Sequence, residues 1–352
     1  MRVLVTGHKG YIGAVMTPMI EAAGHTVVGL DSDFYRNSTY GVLNGVKHEI
    51  LKDIRDIDKS DLEGIDAIVH LAGLSNDVLG ELNEQLTYAI NYHASVRLAE
   101  LGREVGVRRF VFASSCSMYG AASPGDILNE SADFNPVTAY AKSKVYVERD
   151  VSQMADDHFS PTFMRNATAY GMSPRIRFDL VVNNLTAWAY TTGSVRMKSD
   201  GTPWRPLVHI EDISTAVIAV LNAPHEKVHN QAYNVGQSAE NYQVRDVAEM
   251  VKNVVDNCEL SFANGASPDL RNYRVTFAKY ERAFPDYPLT WTVQKGIEQL
   301  YNAYKAIGLG LDDYEGAKYK RIAQLEFLME NGLLGSDLHW LEAQPVRQVS
   351  LS

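Results

Sequence analysis

The chain opens Met1-Arg2-Val3-Leu4-Val5-Thr6-Gly7-His8-Lys9-Gly10-Tyr11-Ile12-Gly13. Reading this stretch decides the fold. A β-branched run from Arg2 meets a TGxxGxxG turn, and a helical pattern, Tyr11–Ala23, follows. Glycines at that spacing permit a tight turn and close backbone approach, so a pyrophosphate can rest on the helix N-terminus. Gly7, Gly10 and Gly13 are therefore candidate cofactor ligands. Asp31 closes the next strand-like run, Thr26–Leu30, at about the ~20-residue distance such turns keep from an acid. A carboxylate there accepts from adenosine ribose hydroxyls and repels a 2′-phosphate, which predicts NAD over NADP despite nearby Arg36. Lys52-Asp53-Ile54 follows a further strand, and Asp53 is either a contact for the adenine edge or an ordinary loop aspartate.

Working outward, strand-like pieces at Ala67–Leu71, Phe110–Ala113 and Pro161–Met164 alternate with helical patterns at Leu86–Val105 and Thr138–Ala155. Such alternation builds βαβ units. The fold expected is α/β, a Rossmann-type doubly wound parallel sheet with a smaller C-terminal substrate-binding lobe. Residues 1–165 form the NAD-binding domain, with about 205–235 returning to it. Residues 166–305 supply most of a discontinuous substrate lobe, and 306–352 form a helical extension. In that extension Ile322, Leu325 and Leu328–Met329 share a face, expected to pack on the body or a partner subunit rather than take part in chemistry.

Composition bounds the function. The 352 residues carry a net charge of −10, which argues against nucleic acid or an anionic membrane as partner. Two cysteines, Cys116 and Cys258, give neither a disulfide framework nor a zinc spacing, so no metal is expected. No charged leader with an apolar core and no apolar run of ~18 residues is present. A soluble, cytoplasmic protein is expected.

Tyr140-Ala141-Lys142-Ser143-Lys144 sets a phenol and an ammonium one helical turn apart. A phenol of pKa ~10 is a poor base at neutral pH, and a neighbouring cation stabilises its phenolate. The strand Phe110-Val111-Phe112-Ala113-Ser114-Ser115-Cys116-Ser117 ends in hydroxyls where open α/β sheets bind ligands. Ser115 is the best placed of these for the reacting oxygen. Cys116 reads as a small buried hydrophobe.

On the glycine turn, His70-Leu71-Ala72-Gly73, Asn91, Ser114–Gly120, Tyr-x-x-x-Lys, Arg165–Gly171 and Arg205–Asp212, the chain resembles the extended short-chain dehydrogenase/reductase superfamily, in its NAD-dependent nucleotide-sugar epimerase/dehydratase branch. The resemblance covers roughly residues 1–305. It implies Tyr140 as acid/base, Lys144 as its electrostatic partner and ribose ligand, and Ser115 as the third member. It adds Tyr11, Ile12, Ile54, Leu71, Ala72 and Gly73 to the cofactor contacts. For a nucleotide-diphosphate sugar it implies Ser75, Ser117, Asn166, Asn184, Arg205 and Arg271. A homodimer through the helices containing Ala94–Val105 and Tyr140–Ala155 is also implied.

Departures from the family pattern narrow the reaction. Sugar 4,6-dehydratases carry an Asp-Glu pair directly after the catalytic Ser/Thr, where this chain has Cys116-Ser117. Epimerase-reductases acting at C3 and C5 use a cysteine where Ser117 stands. These departures disfavour a 4,6-dehydratase and point to reversible oxidation and reduction at one carbon, foremost 4-epimerisation through a transient 4-keto sugar. A 4-ketoreductase or dehydrogenase with exchanging NAD(P)H is the alternative, and a silent NAD-binding sensor a remoter one.

Overall fold

The computed structural model describes residues 1–75, 83–121, 125–197, 199–262 and 272–341. Seven strands, β1 (Arg2–Thr6), β2 (Thr26–Asp31), β3 (His48–Leu51), β4 (Ala67–His70), β5 (Arg109–Ser115), β6 (Ser160–Asn166) and β7 (Gln231–Val235), form one sheet. All pair in parallel, in the order β7-β6-β5-β4-β1-β2-β3. The order reverses between β1 and β4, and ligands of open α/β sheets bind outside the strand C-termini at such a point.

The helices include α1 (Gly13–Ala22), α2 (Glu84–Tyr88), α3 (Ala94–Glu104), α4 (Ala139–Ser152), α5 (Val181–Thr192), α6 (Ile210–Asn222), α7 (Val244–Val254), α8 (Val293–Ile307) and α9 (Arg321–Glu330), with further short ones at His225–Val228, Ala278–Ala283 and Leu311–Glu315. A π turn, Ala89–His93, joins α2 to α3. Successive side chains of β1 face opposite ways, as a pleat requires. Val3 and Val5 pack with Met16 and Ile20 of α1 and Ile213 and Val217 of α6. Leu4 enters a second core with Leu98 of α3 and Val147 and Val151 of α4. Helices therefore cover both faces, which suits strands that are apolar throughout.

A third core, with Tyr170, Ile176, Phe178, Leu185, Val247, Ile297 and Leu300, holds the smaller lobe together. There the strand Trp204–His209 pairs in parallel with Thr168–Tyr170 and antiparallel with Asn241–Gln243. α6 and β7 follow it back onto the main sheet. The last segment consists of a short helix Leu311–Glu315, a 3-10 turn Ala317–Tyr319 and α9. Leu325 and Leu328 of α9 join the second core. Among the described residues no helix is long and apolar enough to cross a membrane.

Candidate active site

The glycine turn is shaped by contacts that only a missing side chain allows. Gly7 has φ +73°, and a Cβ there would stand 2.8 Å from the Ala72 nitrogen. Its N–H donates to Leu30 O at 2.7 Å, while Gly10 N donates to Gly7 O at 2.9 Å. A Cβ on Gly13 would run into the Gly7 carbonyl oxygen. The Asp31 carboxylate accepts from the backbone N–H groups of Lys9 at 2.9 Å and Asp33 at 2.7 Å. Burial raises its pKa, and those two donors oppose the rise.

The loop after β4 is fixed from below. Thr6 Oγ1 lies 2.6 Å from His70 Nδ1, and His70 Nε2 lies 2.7 Å from Ser95 Oγ. Burial pushes His70 down to about 3, so the ring is neutral at pH 7. Asn91, in the π turn, accepts from Leu74 N at 2.7 Å and donates to Leu74 O at 2.9 Å. That clamp sets Gly73 close against Asn91, where a Cβ would meet Oδ1 at 3.0 Å.

One cavity of about 300 Å³ joins these elements. Its wall includes Gly7, Gly10, Tyr11, Ile12, Gly13, Asp31, Asp53, Ile54, Leu71, Ala72 and Gly73 at one end. Ser75, Ser115, Ser117, Tyr140, Lys144, Asn166 and Arg205 line it too. β5 and β6 run two residues further than the sequence pattern suggests, which sets Ser115 opposite Asn166 in the ladder. The Ser117 Oγ and Asn166 Oδ1 atoms are buried and have no hydrogen-bond partner among the described residues. An acceptor or donor left bare on a cavity wall is a place for a ligand, because burying it unpaired costs about 1–3 kcal/mol.

Thr138 caps α4 by accepting from Ala141 N at 3.1 Å, and the helix presents Tyr140 and Lys144 to the cavity. The Lys144 ammonium lies 5.5 Å from the Tyr140 ring centre and 4.5 Å from that of Phe112. Burial lowers it to about 7, with the Glu148 carboxylate pulling the other way. Glu148 pairs with Arg165 at 2.7 Å and accepts from Ser114 Oγ at 2.6 Å. Cys116 is fully buried, its thiol donating to Arg165 O at 3.1 Å and pushed up in pKa by that burial.

Three positions sit differently from the rest. Asn184 is not on the cavity wall; its amide donates to Phe178 O at 2.7 Å and to the Tyr314 hydroxyl at 2.9 Å. Asp53 reaches the wall with its carboxylate engaged by Arg55, at 2.8 Å to both Nε and NH2. Arg271 lies outside the described residues. The sequence reading missed Arg177, Tyr35, Tyr273 and Arg321, all on the wall. Arg177 donates to Ser75 Oγ at 2.8 Å and pairs with Asp179 at 2.6 Å. The arginine density of Ser173-Pro174-Arg175-Ile176-Arg177 was the available signal for it. Nothing local marks Arg321.

Fold and cavity together define a dinucleotide-binding enzyme, with Tyr140 and Lys144 side by side on the cavity wall. A model described as the NAD dependent epimerase/dehydratase family matches residues 3–236, and the chain belongs to that family. NAD is its cofactor, and the close-packed glycine turn and the doubly anchored Asp31 fit it. The chain is 25% identical over 334 residues to the UDP-glucose 4-epimerase of Bacillus subtilis (strain 168), covering 85% of this chain and 94% of that one. It is 29% identical over 255 residues to the enzyme of the same description from Mycolicibacterium smegmatis, covering 68% and 78%. Among solved structures, an NAD dependent NDP-hexosamine 5,6-dehydratase, TunA, superposes with TM-score 0.77 at 23% identity, covering 89% and 100%. The UDP-glucose 4-epimerase of Thermus thermophilus with NAD gives TM-score 0.71 at 23% identity, covering 87% and 99%. These two likenesses are of fold.

Proposed function

We propose that the chain is an NAD-dependent nucleotide-sugar epimerase that inverts C4 through a transient 4-keto sugar. The observation that carries this reading is where the acids lie. Among the described residues, the carboxylates on the cavity wall, Asp31, Asp33 and Asp53, lie at or just after the ends of β2 and β3. Beside Tyr140, at the ends of β5 and β6, stand hydroxyls, an amide and an ammonium instead. A proton carrier without the carboxylate pair of a 4,6-dehydratase favours oxidation and reduction at one carbon over elimination.

When bound, NAD supplies a reversible hydride acceptor. Tyr140 takes the proton from the 4-hydroxyl and returns one to the same oxygen after the keto sugar has turned its other face. Such a positioned acid/base contributes ~10²–10⁴-fold. Lys144 stabilises the phenolate when protonated, and Ser115 holds the reacting oxygen. Ser117 and Asn166 offer bare polar atoms to the sugar, and Arg205 offers its planar fork to the diphosphate.

The domain division given by the sequence, a homodimer through α3 and α4 and a cytoplasmic location belong to the same reading. Sedimentation velocity tests the dimer. The central experiment incubates purified protein with UDP-glucose or UDP-galactose, without added cofactor, and follows the sugar by NMR. Inversion at C4 is expected. Turnover only with stoichiometric NADH or NADPH overturns the reading in favour of a ketoreductase.

A further inference from the structure

Residues 306–341 follow the segment that the family model matches, yet they reach into the cofactor cavity. Arg321, the first residue of α9, lines the cavity together with Gly10, Asp31, Tyr35 and Arg177. It is 6% exposed. One guanidinium nitrogen, NH2, donates to Arg175 O at 2.8 Å, and the group lies 3.9 Å from the Tyr35 ring centre. The other terminal nitrogen, NH1, is buried and has no hydrogen-bond partner among the described residues. Arg175 and Arg177 close by are paired with Asp33 and Asp179. Arg321 makes no ion pair with a described carboxylate. The Asp179 carboxylate acts on it from beyond contact distance, but a buried cation with no carboxylate in direct contact is costly, and an anion entering the cavity would relieve that cost.

The rest of the extension is fastened around the same end of the cavity. The Trp340 indole donates to Ser32 O at 2.6 Å, and Arg36 lies 4.0 Å from its ring centre. Arg55 donates to Asp337 O at 2.7 Å. Leu325, Leu328, Leu334 and Leu338 share a core with Phe34, Ile54 and Leu74. Ser32, Phe34, Ile54 and Leu74 are themselves wall residues. The extension thus ties together the loops after β2 and β3 that form the adenosine end.

We infer that the C-terminal extension is part of the cofactor site: it straps the adenosine end, and Arg321 binds the dinucleotide through its anionic diphosphate. The diphosphate is the only anionic part of NAD, and guanidinium forks recognise phosphate oxygens in pairs. The assignment does not depend on which sugar is turned over.

Calorimetric titration with ADP-ribose and with adenosine tests it on the full chain. Arg321→Met keeps much of the side-chain volume and removes the charge. It should weaken ADP-ribose by about ten- to a hundredfold, the range of a charged hydrogen bond, and leave adenosine affinity unchanged. Arg321→Lys, which keeps the charge and loses the fork, should fall between. Equal weakening of both ligands, or of neither, overturns the assignment. On the unsubstituted protein, ADP-ribose should slow hydrogen exchange across residues 321–341. Exchange there that does not respond overturns the strap even if the methionine variant fails to fold.

Discussion

The Lys144 ammonium donates to the Ala113 carbonyl at 2.7 Å, so the cation beneath Tyr140 is anchored to β5 rather than free to swing. Burial against Phe112 lowers it to about 7 from the ordinary 10.5, while Glu148, one helical turn on, pulls the other way. Below about 7 both folded and unfolded chains hold this proton, and the folded state bears a buried charge. Between about 7 and 10.5 the unfolded chain binds the proton more strongly, so stability rises with pH. The cofactor-free protein should gain melting temperature as pH is raised from about 6 to about 9. Lys144→Met should reduce that gain, and equal slopes in the two proteins would remove the argument.

Tyr140→Phe removes the proton carrier and little else. Turnover should fall by ~10²–10⁴-fold, while NAD affinity, measured by calorimetry, stays within a factor of about three. Full turnover in the phenylalanine variant would dismiss the proposed role.

Ser117→Ala deletes a hydroxyl that has no partner among the described residues. Thermal stability should hold or improve, since an unsatisfied buried group is removed. If the hydroxyl serves the sugar, KM should rise by about two- to tenfold, the worth of one neutral hydrogen bond. An unchanged KM places the sugar elsewhere.

Glu148 and Arg165 are each 7% exposed in their side chains and pair at 2.7 Å. Removing one partner of such a pair strands the other, at a cost of about 3–5 kcal/mol. Glu148→Ala should show that loss in denaturant unfolding. It should also lower the Lys144 pKa further, because Glu148 is the group holding it up.

Gly13→Ala places a methyl against the Gly7 carbonyl, a backbone atom that cannot rotate away. Overpacking of this kind costs about 1–3 kcal/mol. The turn must open, and NAD affinity should fall by roughly ten- to a hundredfold. Affinity equal to that of the parent would show that the turn tolerates a side chain.

What the sequence makes legible here is what short spacings encode. The glycine turn, Asp31 and the Tyr140–Lys144 pair lie within single strand–turn–helix units, so local pattern places them on the cavity. β3 was harder, because His48–Leu51 is a short edge strand that alternates between exposed and part-buried positions rather than running apolar. Asn184 was drawn to the site by motif alone, while its amide is occupied by Phe178 O and by Tyr314 from beyond residue 310. Arg321 is the converse case. Its place on the cavity wall depends on how α9 docks on the second core, and no spacing along the chain encodes that.

Tyr11 belongs by sequence to the glycine turn and by packing to the smaller lobe's core. Its hydroxyl donates to Gly171 O at 2.7 Å and accepts from Asn183, while its carbonyl accepts from Ser173 Oγ. The two lobes are therefore not exchangeable modules. A chimera joining residues 1–165 to the second half of a relative would leave that phenol without its sockets and open the turn's outer wall. Diversification of the substrate lobe must carry Tyr11, Gly171, Ser173 and Asn183 together as one inherited joint.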